Sequence, residues 1–223
     1  MLSRTANHLY WMARYMERAE NAARLLGGTY RQTLITHSGH RGHDEWQGLF
    51  QTDGERQAFL ERYEAFNTES VLTYMVLDRE NPSSVWSCIW SARENVRATR
   101  HVLTTDLWES INQTWLETSD MDFQAVGDSG IHEFLEWIKE RCHLFRGIVY
   151  GTMHRGEAFQ FWELGTYVER AENTSRLMLA RAASFHSARQ RDSAVRYYHW
   201  GTLLRSVNSF KTYREIYRGA IEP

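Results

Sequence analysis

Proline is scarce in this sequence, with only 2 residues among 223. Average usage near 5% would give about 11. Because proline interrupts helices and is frequent in turns, its scarcity favours long continuous helices over a turn-rich β architecture. No segment shows a convincing strand pattern, and we therefore predict an all-α fold.

Lysine is also nearly missing, since Lys139 and Lys211 are the only lysines among 26 basic residues. The excess of arginine has two interpretations: a bias from a GC-rich coding sequence, or recognition of carboxylate or phosphate groups. With 28 acidic residues the formal net charge is −2, which argues against a basic nucleic-acid-binding tail. The charged fraction of 24% is ordinary for a folded chain, which argues against disorder.

Long apolar runs and paired cysteines are missing as well. No run approaches the roughly 18 apolar residues of a membrane span, and the N-terminus lacks the apolar stretch of a signal peptide. Cys88 and Cys142 do not have the spacing of a metal-binding pair, and we expect two reduced, buried thiols. We therefore expect a cytoplasmic protein that binds neither membrane nor nucleic acid.

Helical periodicity is what the sequence does contain. Apolar residues recur at helical spacing from Ala6 to about Thr36, and the glycine- and histidine-rich residues 38–44 are predicted to form a loop. Thr68 is predicted as an N-cap, and either Ser83 or Ser84 as another. Further helices are predicted over Trp46–Phe50, Glu55–Phe66, Glu69–Leu77, Val85–Trp115, Ile131–Tyr150, Glu157–Ala188 and Ser193–Tyr217, with a looser segment over Asp120–Gly130.

The strongest pattern is an internal repeat. Residues 15–26 recur as residues 167–178, with eight of 12 positions identical at a spacing of 152, and both copies contain Glu-Arg-Ala-Glu-Asn. We predict one helical domain over residues 1–223, built by tandem duplication. The first copy covers about residues 1–150 and the incomplete second copy about 153–223. The counterpart of residues 69–115 would follow Pro223.

The repeat places the same polar groups on one helix face twice. At about 100° per residue from Glu17, the polar face spans roughly 120° and lies opposite an apolar face. The polar residues of the first copy are Arg14, Glu17, Glu20, Asn21 and Arg24, and the apolar ones are Met12, Ala19, Ala22 and Leu26. Those of the second copy are Glu169, Glu172, Asn173 and Arg176, with Thr166 in the place of Arg14.

Three interpretations of this face stay open. It could be a solvated surface with ion pairs worth only about 0.3–0.5 kcal/mol each, a buried polar seam between two adjacent helices, or a ligand or catalytic site made from that seam. Retention of the charges in two otherwise diverged copies counts against the first, as does asparagine inside a helix. Arg18 and Arg170 belong to the same repeated motif.

A metal site and a nucleotide-binding site are not predicted. A di-metal helical bundle needs two Glu-x-x-His pairs, and the chain offers only Glu140 with His143. His37, His40 and His43 are spaced by three residues in the predicted loop, where histidines commonly have no ligand. Phosphate-binding glycine loops and nucleophile motifs are missing, so we expect no cofactor in this chain.

The repeated motif and several other phrases resemble the bacterial alpha-E domain family. These phrases are residues 1–4, 9–21, 78–84, 92–95, 169–173 and 213–219, so the resemblance extends over essentially the whole chain. It implies an association with circularly permuted ATP-grasp proteins and, as a second candidate partner, a transglutaminase-like protein. Members of the family continue further at the C-terminus. The motif match directs attention to Glu17, Glu20, Glu169 and Glu172.

Two functions follow as expectations. The first is an accessory or catalytic module acting with an ATP-grasp-type amide ligase, with ATP and Mg²⁺ on the partner. The four glutamates would then be catalytic, orienting or deprotonating an amine. The substrate-binding residues would be Arg14, Asn21, Arg24, Asn173 and Arg176, with the arginines holding a carboxylate or phosphate. The second is a non-enzymatic interaction scaffold in which the charged cluster only fixes helix pairing. Formation of a homo-oligomer stays open.

Overall fold

The computed structural model describes residues 1–35, 45–50, 52–188, 193–219 and 221. Every regular element in these ranges is a helix and none is a strand, which confirms the all-α prediction. The loop predicted over residues 38–44, together with His37, lies outside the described residues.

The helices are α1 (Ser3–Ile35), α2 (Asp53–Leu60), α3 (Thr68–Leu72), α4 (Val85–Ala98), α5 (Thr105–Thr118), α6 (Phe123–Ser129), α7 (Ile131–Thr152), α8 (Glu157–Ala188), α9 (Ser193–Ser206) and α10 (Phe210–Ile216). α3 continues directly into a π-helical turn, Thr73–Leu77, and residues 45–47 form a single helical turn. α1 and α8 are the two long helices, and they carry the two copies of the repeated motif.

α1 is the central helix of the bundle. It packs against α4, α7, α8 and α9, so it is enclosed on most of its circumference. Its apolar residues Leu9, Met12 and Leu26 are fully buried, as the periodicity predicts. Because α1 is covered on its polar side too, Glu17 and Glu20 are also buried, at 5% and 4% exposure.

α1 and α8 are adjacent, parallel and in register. The N-terminal amine of Met1 lies 2.8 Å from Glu157, and further along Glu17 contacts Arg170. A Cβ added to Gly165 would overlap the carbonyl oxygen of Tyr10 and lie 3.0 Å from the Cβ of Ala13, so glycine is what permits this close approach. The predicted adjacency of the motif helices is therefore confirmed, whereas the tandem duplication stays a prediction.

The prediction of one helix from Val85 to Trp115 is wrong. The chain leaves the helix after Ala98 and starts α5 at Thr105. The hydroxyl of Thr99 donates to the carbonyl of Asn95 at 2.8 Å, and the short connection is rich in β-branched residues, which are weak helix formers. The reversal lets α5 pack against α4 and bury Ile111 completely.

Several helix ends also differ from the predictions. Asn67, and not Thr68, caps α3, because its side chain accepts from the backbone nitrogen of Ser70 at 2.9 Å. α2 already ends at Leu60. A short helix, α6, forms inside the segment predicted to be loose, and the C-terminal helix divides into α9 and α10 at Asn208, which adopts a φ of 56°.

The predicted cap at Ser84 is confirmed, since its hydroxyl accepts from the backbone nitrogen of Ser87 at 3.1 Å. Cys88 and Cys142 are free and buried. Burial raises the pKa of the Cys88 thiol to about 12 and also raises the pKa of Cys142. Among the described helices, none is long and apolar enough to span a membrane.

Candidate functional site

The two copies of the Glu-Arg pair bind each other across the contact between α1 and α8. Glu17 accepts hydrogen bonds from Nε and Nη2 of Arg170, at 2.8 and 3.1 Å. Glu169 accepts from the same two nitrogens of Arg18, also at 2.8 and 3.1 Å. Each motif thus supplies the carboxylate for the other motif's arginine, in two bidentate, charge-assisted pairs with approximate twofold symmetry.

A further arginine joins the two glutamates of each motif. Arg146 on α7 donates to Glu17 at 3.0 Å and also to Glu20. Arg14 on α1 donates to Glu169 at 2.6 Å and also to Glu172. Arg146 and Arg14 do not occupy equivalent positions of the proposed repeat. The position in α8 that is equivalent to Arg14 is Thr166.

Ion pairs one helical turn apart complete the cluster. Arg24 donates to Glu20 at 2.9 and 2.6 Å, and Arg176 lies 3.3 Å from Glu172. Arg176 also donates to Glu55 on α2 at 2.9 Å. We call the whole set the Glu-Arg network: Glu17, Glu20, Glu169 and Glu172 with Arg14, Arg18, Arg24, Arg146, Arg170 and Arg176.

The arginines of the network favour the ionised form of Glu20 and Glu169. Burial by itself would raise the pKa of Glu169, but the hydrogen bonds and charges of Arg18 and Arg14 lower it below its ordinary value. Burial opposes ionisation of Glu20 in the same way, and the charges of Arg146 and Arg24 lower its pKa. A buried carboxylate with a lowered pKa and several donors is a weak proton acceptor.

The interpretation of the motif as a solvated surface is wrong, because Glu17, Glu20 and Glu169 are only 5%, 4% and 1% exposed. The geometry favours the buried polar seam for these three residues. Glu172 differs, since 39% of its side chain is exposed.

A cleft of about 270 Å³ lies beside the second half of the network. Its polar side chains come mainly from the two motif helices: Arg18, Asn21, Glu169, Glu172, Asn173 and Arg176. Its apolar wall includes Leu25, Leu49, Phe50, Met75 and Leu177. The cleft therefore combines charged groups of both signs with an apolar surface, as small-molecule sites commonly do.

Asn21 has a buried amide that the fold leaves unpaired. Its Nδ2 atom is inaccessible to solvent and makes no hydrogen bond to any residue that the structure describes. The corresponding Nδ2 of Asn173 lies 3.5 Å from Glu169. Buried donors without a partner are uncommon in folded proteins, so Asn21 is an unusual position in the wall of the cleft.

The structure divides the predicted site residues between two places. Asn21, Glu169, Glu172, Asn173 and Arg176 line the cleft. The remaining four lie outside it, within the network: Glu17, Glu20, Arg14 and Arg24.

Three important arginines were not predicted as binding residues. Arg18 and Arg170 follow the motif glutamates directly, about 100° around the helix, so they fall outside the polar arc that the spacing defines. Their long side chains nevertheless reach the neighbouring helix. Arg146 belongs to no motif, and nothing in the sequence of α7 distinguishes it.

Within the described ranges no group of three or more His, Cys, Asp and Glu side chains is placed to hold a metal ion. His143, half of the one Glu-x-x-His pair, lies 3.1 Å from Glu20, where Arg24 and Arg146 already neutralise the carboxylate.

The fold and the network define an all-helical protein in which a reciprocal Glu-Arg exchange joins two parallel helices. The chain belongs to the Alpha-E family, whose model is described as a predicted alpha-helical domain with a conserved ER motif and matches residues 1–223. The Glu-Arg pairs at positions 17–18 and 169–170 fit this description. No curated protein and no solved structure matches the chain.

Proposed function

We propose that this protein is an accessory module that holds a small amine- or carboxylate-bearing substrate for an ATP-grasp-type amide ligase. The cleft beside the Glu-Arg network is the proposed binding site, and the network keeps α1 and α8 in the register that forms it. The observation that carries the proposal is the unpaired amide of Asn21 in the wall of a cleft that Glu172 and Arg176 also line. The choice of partner rests on the resemblance of the sequence motifs to the alpha-E family.

The chemistry of the cleft suits a small molecule with two charged ends. Arg176 and the amide of Asn21 can donate to a carboxylate, and the partly exposed Glu172 can accept from an ammonium group. Leu25 and Leu177 offer apolar contact between these groups. A volume of about 270 Å³ is at the lower end for ligand pockets, which favours a substrate the size of an amino acid or short peptide.

The proposed contribution of the cleft is binding and orientation. Holding an amine near an activated carboxyl group removes most of the entropic cost of their encounter. The pKa of Glu169 is lowered by its arginines, so proton removal is assigned to the partner.

A non-enzymatic scaffold is the second candidate. It is favoured because the buried carboxylates of the network are already paired with arginines. All three buried glutamates of the network are held by arginines. In a pure scaffold the network would stabilise the bundle and the cleft would bind nothing.

Calorimetric titration with amino acids and dipeptides tests the cleft. We expect one ligand per chain, and at least tenfold weaker binding in Asn21→Ala, because the unpaired donor is lost. Asn112→Ala is the matched control, since Asn112 accepts from Arg93 on α4 at 2.9 Å and does not line the cleft. Equal affinities in wild type and Asn21→Ala would remove Asn21 from the site.

Reconstitution with the ATP-grasp protein tests the partnership. We expect the two proteins to co-purify and ATP-dependent product formation to depend on this chain. Glu172→Gln is expected to raise the KM for the amine, and Glu17→Gln to lower thermal stability with little effect on KM. Full activity in both Glu172→Gln and Asn21→Ala would leave the scaffold as the better account.

A further inference from the structure

A second cavity, of about 520 Å³, lies between α1, α7, α9 and α10 and is lined by basic side chains. Five cationic residues line it: Arg24, Arg31, Lys139, Arg205 and Lys211. Thr202, Ser206 and Asn208 add hydroxyl and amide groups, and no carboxylate of a described residue belongs to the lining. We call this space the basic cavity.

Both lysines of the chain line the basic cavity, although 24 of the 26 basic residues are arginines. A bias toward arginine across the whole sequence therefore does not account for this cluster. Lys139 and Arg24 form the inner part of the cavity, with side chains only 16% and 17% exposed. Arg31, Arg205 and Lys211 form its more exposed rim.

The cations of the basic cavity are only partly neutralised by nearby carboxylates. Glu136 is shared, since it lies 2.6 Å from Lys139 and 4.0 Å from Arg31. Glu20, the partner of Arg24, also binds Arg146. Positive charge therefore remains in excess at the cavity.

Arg205 is the clearest unneutralised cation of the cavity. Lys211 lies 3.8 Å from Glu215, but among the described residues no carboxylate lies within 4.0 Å of Arg205. Its guanidinium carbon instead lies 3.9 Å from the centre of the Phe210 ring. A cation–π contact orients the guanidinium without neutralising its charge.

The turn between α9 and α10 brings this part of the cavity together. Asn208 has a φ of 56°, the left-handed conformation that commonly ends a helix. Ser209 then donates to the carbonyl of Leu204 at 2.7 Å, and α10 turns back so that Phe210 contacts Arg205. The turn thereby sets Arg205 and Lys211 on the same cavity.

We propose that the basic cavity binds the phosphate groups of a small phosphorylated ligand. Several converging cations around a space of this size suit a compact anion with more than one negative charge, and arginine and lysine are the usual partners of phosphate oxygens. The proposal is independent of the substrate cleft. Ser206 lines both the basic cavity and the cleft, so a Ser206 variant would not distinguish the two sites.

Calorimetric titration of the full chain with inorganic pyrophosphate, at low ionic strength, tests the proposal. We expect one pyrophosphate per chain, tighter binding than for inorganic phosphate, and weaker binding as salt is added. Arg205→Gln is expected to weaken binding at least tenfold, and Arg205→Lys less than that because the charge is kept. Lys139→Gln is expected to weaken binding similarly.

Arg97→Gln is the matched control for a lost positive charge. Arg97 lies on α4, is 62% exposed and pairs with Glu94. The neighbouring Asn95 contacts His8 near the start of α1. Arg24 of the basic cavity lies 16 residues after His8, about 24 Å along the same helix, so Arg97 is remote from the cavity. We expect this variant to bind pyrophosphate within twofold of the wild type. Asn21→Ala should also bind it normally, which separates this site from the substrate cleft.

Adenosine diphosphate distinguishes two sources of the phosphate. Affinity equal to that of pyrophosphate would assign recognition to the phosphates alone, and markedly tighter binding would assign a nucleotide. The proposal would be overturned if neither ligand bound. It would also be overturned if Arg97→Gln and Arg205→Gln weakened binding equally, because that result indicates attraction by diffuse surface charge. Arg205→Gln breaks no ion pair with a described carboxylate, so it remains informative if Lys139→Gln is unstable.

Discussion

Glu169 is the residue on which the contact between the two long helices depends most directly. It is 1% exposed and accepts hydrogen bonds from Arg18 and Arg14, which belong to another helix. Moving a carboxylate out of water costs several kcal/mol, and only well-placed hydrogen bonds and opposite charges offset that cost. Removal of this one charge would leave the guanidinium of Arg18 without its carboxylate partner and Arg14 with Glu172 alone.

We expect Glu169→Gln to lower the free energy of unfolding by about 3–5 kcal/mol, the usual cost of breaking a buried ion pair. Glutamine keeps the size of the side chain and one acceptor oxygen but removes the negative charge. Urea denaturation followed by circular dichroism measures the change.

Glu80→Gln is the control, because Glu80 is 83% exposed and pairs with Arg62 at 2.9 Å. An exposed pair contributes about 0–1 kcal/mol, so a small change is expected there. Similar small losses in both variants would contradict the structural role of Glu169. The double variant Arg18→Met with Glu169→Gln should lose less than the sum of the single losses, because the two residues interact directly.

At the scale of the elements, the close packing of α1 against α8 depends on Gly165. At Gly165 the backbone of α8 approaches Tyr10 and Ala13 of α1 so closely that no side chain fits between them. The sequence pattern identified the two motif helices, and the steric requirement at Gly165 appears only once they are packed together.

We expect Gly165→Ala to destabilise the protein by about 1–3 kcal/mol, as overpacking of a tight contact does. The added methyl group would overlap the carbonyl oxygen of Tyr10, which belongs to the helix backbone and cannot move aside independently. The change in the urea midpoint measures the effect.

Gly147→Ala provides the matched helical control, because a Cβ at Gly147 on α7 has no atom within 4 Å. There the better helix propensity of alanine predicts a gain of up to about 1 kcal/mol. If Gly165→Ala were also stabilising, the close approach of α1 and α8 would be refuted.

At the scale of the whole molecule, the Glu-Arg network connects α1, α7 and α8 through one set of ionised groups. The stability of the bundle should therefore depend on pH. The pKa values of Glu20 and Glu169 lie below the ordinary value of 4.5 in the folded protein. A group of this kind stabilises the fold above its unfolded pKa, and the contribution disappears as pH falls through the folded pKa.

We expect the free energy of unfolding to change little between neutral pH and about pH 5, and to fall as pH drops below about 4.5. Urea denaturation over a pH series measures the profile. Glu169→Gln should show a shallower fall, since one of the responsible carboxylates is gone, whereas Glu80→Gln should follow the wild type. An identical slope in wild type and Glu169→Gln would exclude Glu169 from the acid transition.

The sequence by itself determined the helical class and the composition of the polar face, because both depend on neighbours within one or two helical turns. Scarce proline and apolar periodicity indicated the long helices. The repeated Glu-Arg-Ala-Glu-Asn motif was sufficient to single out Glu17, Glu20, Glu169 and Glu172. The error at Thr99 occurred where a reversal of the chain is stabilised by packing of α5 on α4 more than by local preference.

Only the tertiary structure decided what those residues contact. Burial of Glu17 and Glu169 follows from the packing of α7 and α8 around α1, and the participation of Arg146 has no local signature. The cleft beside Asn21 and the basic cavity around both lysines are likewise formed by residues far apart in the chain. Helix spacing specifies which side chains share a face, but contacts between faces arise from long-range packing, which no local pattern encodes.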